Sequence, residues 1–261
     1  MKSIITIYRR LVLKEKPKTV YFYPNQPFIW DVIFKISIWK GYKFTESPEK
    51  ADLKFDWEDT TFPSHKNTEG YINSNCSSIS KITISRVFEK VFGYDLLIDP
   101  ETYTGRCVKK SDLNAKHDGK IVNCLVHEAD NDCVYQRLIN NKVEDKLVED
   151  IRIPVINGFI PLVYLKYRPV EMRFSNTNSS VELVEPKTVL TNLEQHKIKE
   201  FCNILKVDYC EIDAVRDYPD GTLYIVDINH CPSGPPNHLS KISAFKAIRL
   251  MADEVDKQFI K

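Results

Sequence analysis

The chain has 261 residues, 43% hydrophobic and 11% aromatic, enough apolar material for a packed interior and too much for a disordered chain. Its 37 basic and 36 acidic residues leave a net charge of +1, without the basic excess that a nucleic-acid partner demands. Only 8 glycines occur where about 18 would be usual; no pair is spaced for a G-x-G-x-x-G turn, a P-loop or a G-x-S-x-G elbow, and all three are excluded.

The opening MKSIITIYRRLVLKEK mixes apolar residues with Arg9, Arg10 and Lys14, and lacks the apolar centre and small-residue cleavage site of a secretory signal. Residues 19–23 (TVYFY) and 52–57 (DLKFDW) read as strands rich in aromatic and β-branched side chains. Between them, 28–40 reads as a helix or buried amphipathic segment ended by Gly41, which makes a small α/β unit. The polar run from Thr60 to Asn75, with Pro63 and Gly70, reads as a linker or mobile loop. A helix is predicted over 78–92, closed by Gly93. Strands follow at 105–110, 120–126, 132–138, 150–157 and 159–167, with Asn157-Gly158 as a two-residue hairpin turn. A helix at 192–206 precedes strands 209–216 and 222–228, joined by the turn Pro219-Asp220-Gly221. The C-terminal stretch spaces Leu239, Ile242, Phe245, Ile248, Met251, Val255 and Phe259 as the apolar face of a helix packed on a sheet. The class is α+β with an antiparallel sheet. No apolar run reaches the roughly 18 residues of a membrane span, and the seven cysteines, an odd number without a C-x-x-C pair, read as reduced thiols. A soluble, cytoplasmic protein that binds neither membrane nor nucleic acid is expected.

The most informative segment is 211–236, EIDAVRDYPDGTLYIVDINHCPSGPP. In a hairpin of this register Asp213 stands on one strand, while Asp227 and Asn229, two apart on its partner, project from one face. Two carboxylates and an amide oxygen converging there make a hard oxygen site of the kind Mg²⁺ takes alongside nucleotide phosphates. The competing reading is of acids solvated at a sheet edge. Against it, Asp227 is flanked by Ile225, Val226 and Ile228, and an inward acid is costly to bury unpartnered. Cys231 beside His230 lacks the register of a nucleophile and its base, and His230, Cys231 and His238 lack zinc-module spacing. The loop 232–238 (PSGPPNH) reads either as a pocket wall, with Asn237 and His238 as contacts, or as a stiff lead into the last helix. Residues 57–62 (WEDTTF) read either as part of the same cleft or as a surface turn.

I-D-A-V-R, a D-G turn and V-D-I-N-x-x-P together resemble the C-terminal signature of ATP-grasp enzymes. Asp150-Ile151-Arg152 is similar to the D-x-R strand of that family. Arg173-Phe174-Ser175-Asn176 is similar to the R/F-S-N stretch of its glutamate-ligase branch, and the carboxylate–amine ligases of the D-alanine–D-alanine type are also resembled. The order of motifs covers roughly 76–240. The resemblance implies two α+β subdomains clasping nucleotide behind a short N-terminal α/β unit, divided as 1–72, 73–137 and 138–261. It implies that Lys81, Lys109 and Lys110 reach ATP phosphates and that Gln136, Arg137, Leu138 and Ile139 form the adenine hinge. Asp213, Asp227 and Asn229 would hold Mg²⁺ or Mn²⁺, with Asp213 also on the nucleotide side, and Lys110, Arg152 and Arg173 would be the catalytic charges on phosphate or substrate carboxylate. The implied reaction is ATP-dependent activation of a carboxylate as acyl phosphate for attack by an amine.

Three departures stand out. Asp227 occupies a position where Glu is commoner, and Thr177-Asn178-Ser179-Ser180 replaces a glycine pair. The flap over the phosphates, glycine-rich in relatives, is Ser111–Lys120 (SDLNAKHDGK), where Asn114, His117 and Lys120 are the available polar contacts. Arg168 is read as fixing a substrate anion or as a solvated surface residue. The partners implied are ATP and a small carboxylate and amine, whether sugar acid, amino acid or peptide, with a homodimer left open. Two other readings of the same fold are a nucleotide-binding protein without ligase activity and a kinase acting on a hydroxyl.

Overall fold

Three parallel strands open the described part of the chain. β1 (Thr19–Pro24) lies between β2 (Lys43–Phe44) and β3 (Leu53–Trp57), and α1 (Val32–Lys40) makes the crossover. The computed structural model describes residues 16–64, 66–144, 146–175 and 177–260, so the expectations for Arg9, Arg10, Lys14 and Asn176 lie outside the described residues. The helix predicted from Phe28 starts at Val32 instead. Asp31 draws the Phe28 N–H onto its carboxylate at 2.7 Å, and this local turn excludes Phe28, Ile29 and Trp30 from the helix and leaves them exposed. Gly41, in the left-handed region at φ 69°, ends α1 as expected.

The described residues of the run from Thr60 to Asn75 form no helix or strand, but the run is not a free linker. Thr68 Oγ1 donates to Asp56 at 2.7 Å. The buried Asn73 side chain accepts the backbone N–H groups of Asp208 and Tyr209, each at 2.9 Å, and donates to the Tyr209 carbonyl at 2.8 Å.

α2 (Lys81–Phe92) is capped by Ser80 and closed by Gly93. A small antiparallel sheet follows, β4 (Gly105–Ser111) between β5 (Lys120–Cys124) and β6 (Cys133–Arg137). The large antiparallel sheet is built from β7 (Lys142–Glu144), β8 (Leu147–Ile156), β9 (Val163–Pro169), β10 (Ser180–Val184), β11 (Tyr209–Arg216) and β12 (Leu223–Asn229). Its order is β10-β9-β8-β11-β12, with β7 paired to the start of β8. α3 (Pro186–Val189) and α4 (Asn192–Leu205) precede β11, and α5 (Lys241–Phe259) ends the described chain. The Asn157-Gly158 turn forms, with φ of 49° and 78°, but β9 begins only at Val163 because Pro161 lacks the N–H a ladder needs.

Strand alternation divides the large sheet. Ile151, Ile153, Ile212 and Ile225 point to one face and pack under Phe88 of α2 and Phe201 of α4. On the other face Ile156, Tyr164 and Tyr209 pack with Phe22, Phe55 and Met251 from the N-terminal strands and α5, leaving the rest of that face to charged side chains. The α5 stripe holds over Ile248, Met251 and Val255 but fails earlier, where Ile242 is 84% exposed and Phe245 lies beside Trp39 at the surface. Apolar spacing marks a face, not which of its turns has something to cover. No helix among the described residues is long and apolar enough to cross a membrane.

Asn73→Ala strips the amide that pairs three backbone groups of the Asp208–Tyr209 segment, and at φ 73° it also places alanine where asparagine is better tolerated. A loss of roughly 2–4 kcal/mol in urea unfolding is expected.

Candidate active site

The charged half of the large sheet is assembled by register. Asp213 on β11 lies directly opposite Asp227 on β12, and Glu211 opposite Asn229. On the other side of β11, Arg152 of β8 pairs with Asp213, and Tyr164 of β9 follows next to Arg152. Arg152 grips Asp213 with a fork, Nε to Oδ1 at 3.0 Å and Nη2 to Oδ2 at 2.9 Å, and Lys166 Nζ donates to the same carboxylate at 3.0 Å. Burial works to raise the Asp213 carboxyl, but the Arg152 and Lys166 charges outweigh it and hold the group well below the usual carboxylate range. Asp227 accepts the Ile228 N–H at 3.0 Å and lies 3.7 Å from Lys81 Nζ. Asn229 turns its side-chain oxygen to the Cys231 N–H at 2.8 Å.

Two lysines reach this face from outside the sheet. Lys81 opens α2, is 5% exposed and donates to the Leu113 carbonyl at 2.8 Å. Lys110 of β4 donates to the Val226 carbonyl at 2.9 Å. Burial, only partly offset by Asp227, pushes its ammonium down to about 8. Lys109 does not join them. Adjacent residues of a strand face opposite ways, and Lys109 instead pairs with Asp130 at 3.1 Å over the Tyr135 ring.

Lys81, Lys110, Arg152, Asp213, Asp227 and Asn229 line one cavity of about 220 Å³. It continues into a smaller apolar chamber of about 130 Å³, walled by Val108, Gln136, Arg137, Leu138, Ile139 and Val226. The Gln136 side chain is held by Ser85 at 3.1 Å, and the Arg137 guanidinium turns outward to Asp95. These two side chains are therefore engaged elsewhere, and the hinge offers mainly backbone and the apolar surface of Leu138 and Ile139. Arg173 lines the smaller chamber and not the first cavity, donating to the Ile139 carbonyl at 3.1 Å and to Asn141.

The flap Ser111–Lys120 lies over the first cavity with Asn114, His117 and Gly119 among its walls, whereas Lys120 belongs to β5 and is not among them. It turns without a glycine run, using Ala115 and His117 at φ 59° and 51°. Its one glycine packs closely, since a Cβ on Gly119 would stand 3.0 Å from the Phe174 ring and the ring would have to give way. Arg168 is not a solvated residue: it is 6% exposed and pairs with Asp150 at 2.7 Å. Asn237 lines a further cavity, described below, with Ser233 and Gly234, and His238 is not among its walls. Trp57 is in the core and the Glu58 carbonyl holds His230 Nε2 at 2.7 Å, so that segment braces the sheet and does not face the cleft.

Two groups escaped the sequence reading. Lys166 shares a strand face with Tyr164 and Arg168 on β9, and Glu211 lies two residues before Asp213; parity groups each with its neighbours, and the order β9-β8-β11 brings both to Arg152. Glu211 is fully buried with Arg152 Nη1 at 3.4 Å, and burial pushes its carboxyl up to about 7 against the pull of Arg152. A carboxyl raised from its unfolded value contributes stability below about 4.5 that is lost as pH rises through about 7. Glu211→Gln is expected to remove that slope and to gain roughly 3 kcal/mol over the wild type at pH 8 relative to pH 4.5, read from urea unfolding across the range.

No family model and no curated protein matches the sequence. Solved structures do. The D-alanine–D-alanine ligase from Bacillus anthracis complexed with ATP superposes with a TM-score of 0.54 at 15% identity, over 93% of this chain and 97% of that one. The ATP-grasp ligase PsnB complexed with minimal precursor, Mg and ADP gives 0.52 at 11% identity over 90% and 96%. The macrocyclase MdnC bound with precursor peptide MdnA from Microcystis aeruginosa MRC gives 0.51 at 12% identity over 93% and 99%. Across the PsnB structures the matched share of that chain runs from 58% to 96%. The chain has the ATP-grasp fold.

Proposed function

We propose that this ATP-grasp chain is an ATP- and Mg²⁺-dependent ligase that joins a carboxylate to an amine. The carboxylate attacks the γ-phosphorus of ATP, giving an acyl phosphate and ADP; the amine then attacks the acyl carbon, giving an amide, phosphate and a proton. One observation carries the reading. Asp213, Asp227 and Asn229 share a sheet face with Arg152 and Lys166, while Lys81 and Lys110 arrive from a separate helix and strand to line the same space. The similar structures, one complexed with ATP and another with Mg and ADP, support the nucleotide part.

The donor set fits Mg²⁺ or Mn²⁺. Asp213 and Asp227 supply hard carboxylate oxygens directly opposite each other, Asp213 already paired with Arg152 and Lys166 and Asp227 with Lys81 at 3.7 Å. Asn229 adds an amide oxygen on the same face. Among the described residues no three His, Cys, Asp or Glu side chains cluster as a metal site. When bound, the ion would neutralise phosphate charge. Lys110 and Lys81 place positive charge on the opposite side, Arg152 lines the same space with its fork held on Asp213, Arg173 borders the smaller chamber, and the apolar surface of that chamber beside Leu138 and Ile139 takes the adenine. We assign the subdomains as 1–72, 73–137 and 138–261.

Three tests follow from these roles. Carboxylate-dependent ADP release with hydroxylamine capture of a hydroxamate is expected; ADP release with a stable phosphorylated hydroxyl and no hydroxamate would mark a kinase, and tight nucleotide binding without turnover on any carboxylate pool would mark a binding protein. Asp227→Asn with Asn229→Ala should weaken Mg²⁺-dependent nucleotide binding at least about a hundredfold while the melting curve stays cooperative. Because the Lys110 ammonium is lost as pH rises through about 8, AMPPNP affinity should fall between pH 7 and pH 9, and Lys110→Arg should flatten that fall in calorimetric titrations.

A further inference from the structure

A cavity of about 640 Å³ extends from Asp227 and Asn229 to a wall that no role above uses. Trp30 and Lys35 supply one part of that wall, and Ser233, Gly234 and Asn237 the other. The two parts are tied together: Gly234 N–H donates to the Trp30 carbonyl at 3.1 Å, Val32 N–H to the Pro232 carbonyl at 3.0 Å, and Ser233 Oγ to Asp31 at 2.9 Å.

The charges of this cavity do not balance. Lys35, Lys110, Arg152, Lys166, Arg168 and Arg173 make six cations against the three carboxylates Asp150, Asp213 and Asp227. Asp150 is taken by Arg168, Asp213 by Arg152 and Lys166, and Asp227 has Lys81 nearby. Lys35 has only carbonyls, donating to Trp30 at 3.0 Å and to Gly234, and no carboxylate stands within ion-pair distance among the described residues. The adjacent acid, Asp31, spends its oxygens on the Phe28 N–H and the Ser233 hydroxyl. Burial lowers the Lys35 ammonium from its ordinary value, and the nearby Asp31 charge offsets only part of that. On the sheet side of the same cavity, Arg168 Nε and Asn178 Oδ1 are buried without a hydrogen-bond partner, although Arg168 and Asn178 are only 6% and 7% exposed.

We propose that Lys35 anchors a second carboxylate of the substrate, distal to the one that reacts, so that the ligase acts on organic acids carrying two carboxylates. The reacting group lies toward Arg152, Asp213 and Asp227, and the spectator carboxylate completes the donor set of Lys35, which has two of its three N–H groups committed to carbonyls. This rests on the ligase reading and adds the substrate class to it.

The test titrates protein loaded with AMPPNP and Mg²⁺ with linear α,ω-dicarboxylates of about four to eight carbons, each against its monoamide, a series chosen to fit a cavity of small-ligand size. At one or more lengths the dicarboxylate should bind about tenfold tighter than its monoamide, the effect of one charge-assisted hydrogen bond. Lys35→Gln should bring that ratio to about one, and Lys35→Arg should keep most of it. If Lys35→Gln melts below the assay temperature, Lys35→Met carries the same comparison. Equal binding of diacid and monoamide at every length, or a ratio that survives neutralisation of Lys35, overturns the assignment. Wild-type affinity for AMPPNP separates the two claims: its loss sinks the ligase reading, whereas its presence without diacid preference sinks only the role of Lys35.

Discussion

The fork of Arg152 on Asp213 is the contact on which the site depends. Asp213 faces Asp227 across one ladder and shares its own strand face with Glu211, so three acids crowd a surface that is half core. At about 4 Å two unit charges interact by roughly 4 kcal/mol at an effective dielectric near 20, and such crowding is tolerated only with cations in the same plane. Arg152 and Lys166 supply them from the two strands beyond Asp213. Removing one member of such a pair typically costs roughly 3–5 kcal/mol, because the partner is left buried and unpaired. The charges that would meet a phosphate are therefore already fixed in place by folding, which is what electrostatic preorganisation requires.

The opposing lysines are positioned by a different device. Asp112, at the end of β4, accepts the Ile82 N–H through its carboxylate at 2.8 Å and the Lys81 N–H through its backbone carbonyl at 3.2 Å. The small sheet is thus docked on the N-terminus of α2, and Lys81 and Lys110 come to one place although they belong to separate elements. Lys110 then crosses to the Val226 carbonyl, at a point where the β11–β12 register slips between Asp213 and Ala214 and leaves Val226 outside the paired residues. A bulge frees a carbonyl that a regular ladder would have used. The irregularity beside Asp227 is what gives the incoming lysine its resting contact.

Much of this was legible in the sequence because it is local. The Pro219-Asp220-Gly221 turn fixes the β11–β12 hairpin, and that hairpin alone sets Asp213 against Asp227. Gly41 and Gly93 end their helices by a backbone conformation that glycine favours. What failed was parity and partnership. Gly105–Ser111 reads GRCVKKS, without an apolar alternation to say which of Lys109 and Lys110 looks inward. Glu211 and Lys166 required knowing that their strands lie on either side of Arg152, a long-range fact. Ile242 obeys the helical period and still lies in solvent, because the period carries no information about what stands opposite.

The scarcity of glycine in the flap now has a structural counterpart. A glycine-rich loop is adjustable; Ser111–Lys120 is tethered at several points instead. Asp118 accepts the Ser111 N–H at 3.0 Å, Asn114 N–H donates to Thr61 Oγ1 at 2.8 Å, and Gly119 lies against Phe174 beside Arg173. Thr61 follows β3, the strand whose unit also carries Lys35 and Trp30 on α1 and the turn before it. The roof of the first cavity and the Trp30–Lys35 part of the larger cavity's far wall are therefore tied to one N-terminal scaffold, while Asp213, Asp227, Asn229 and Arg152 are fixed to the large sheet. A molecule bridging Lys35 and Arg152 would join those two bodies directly.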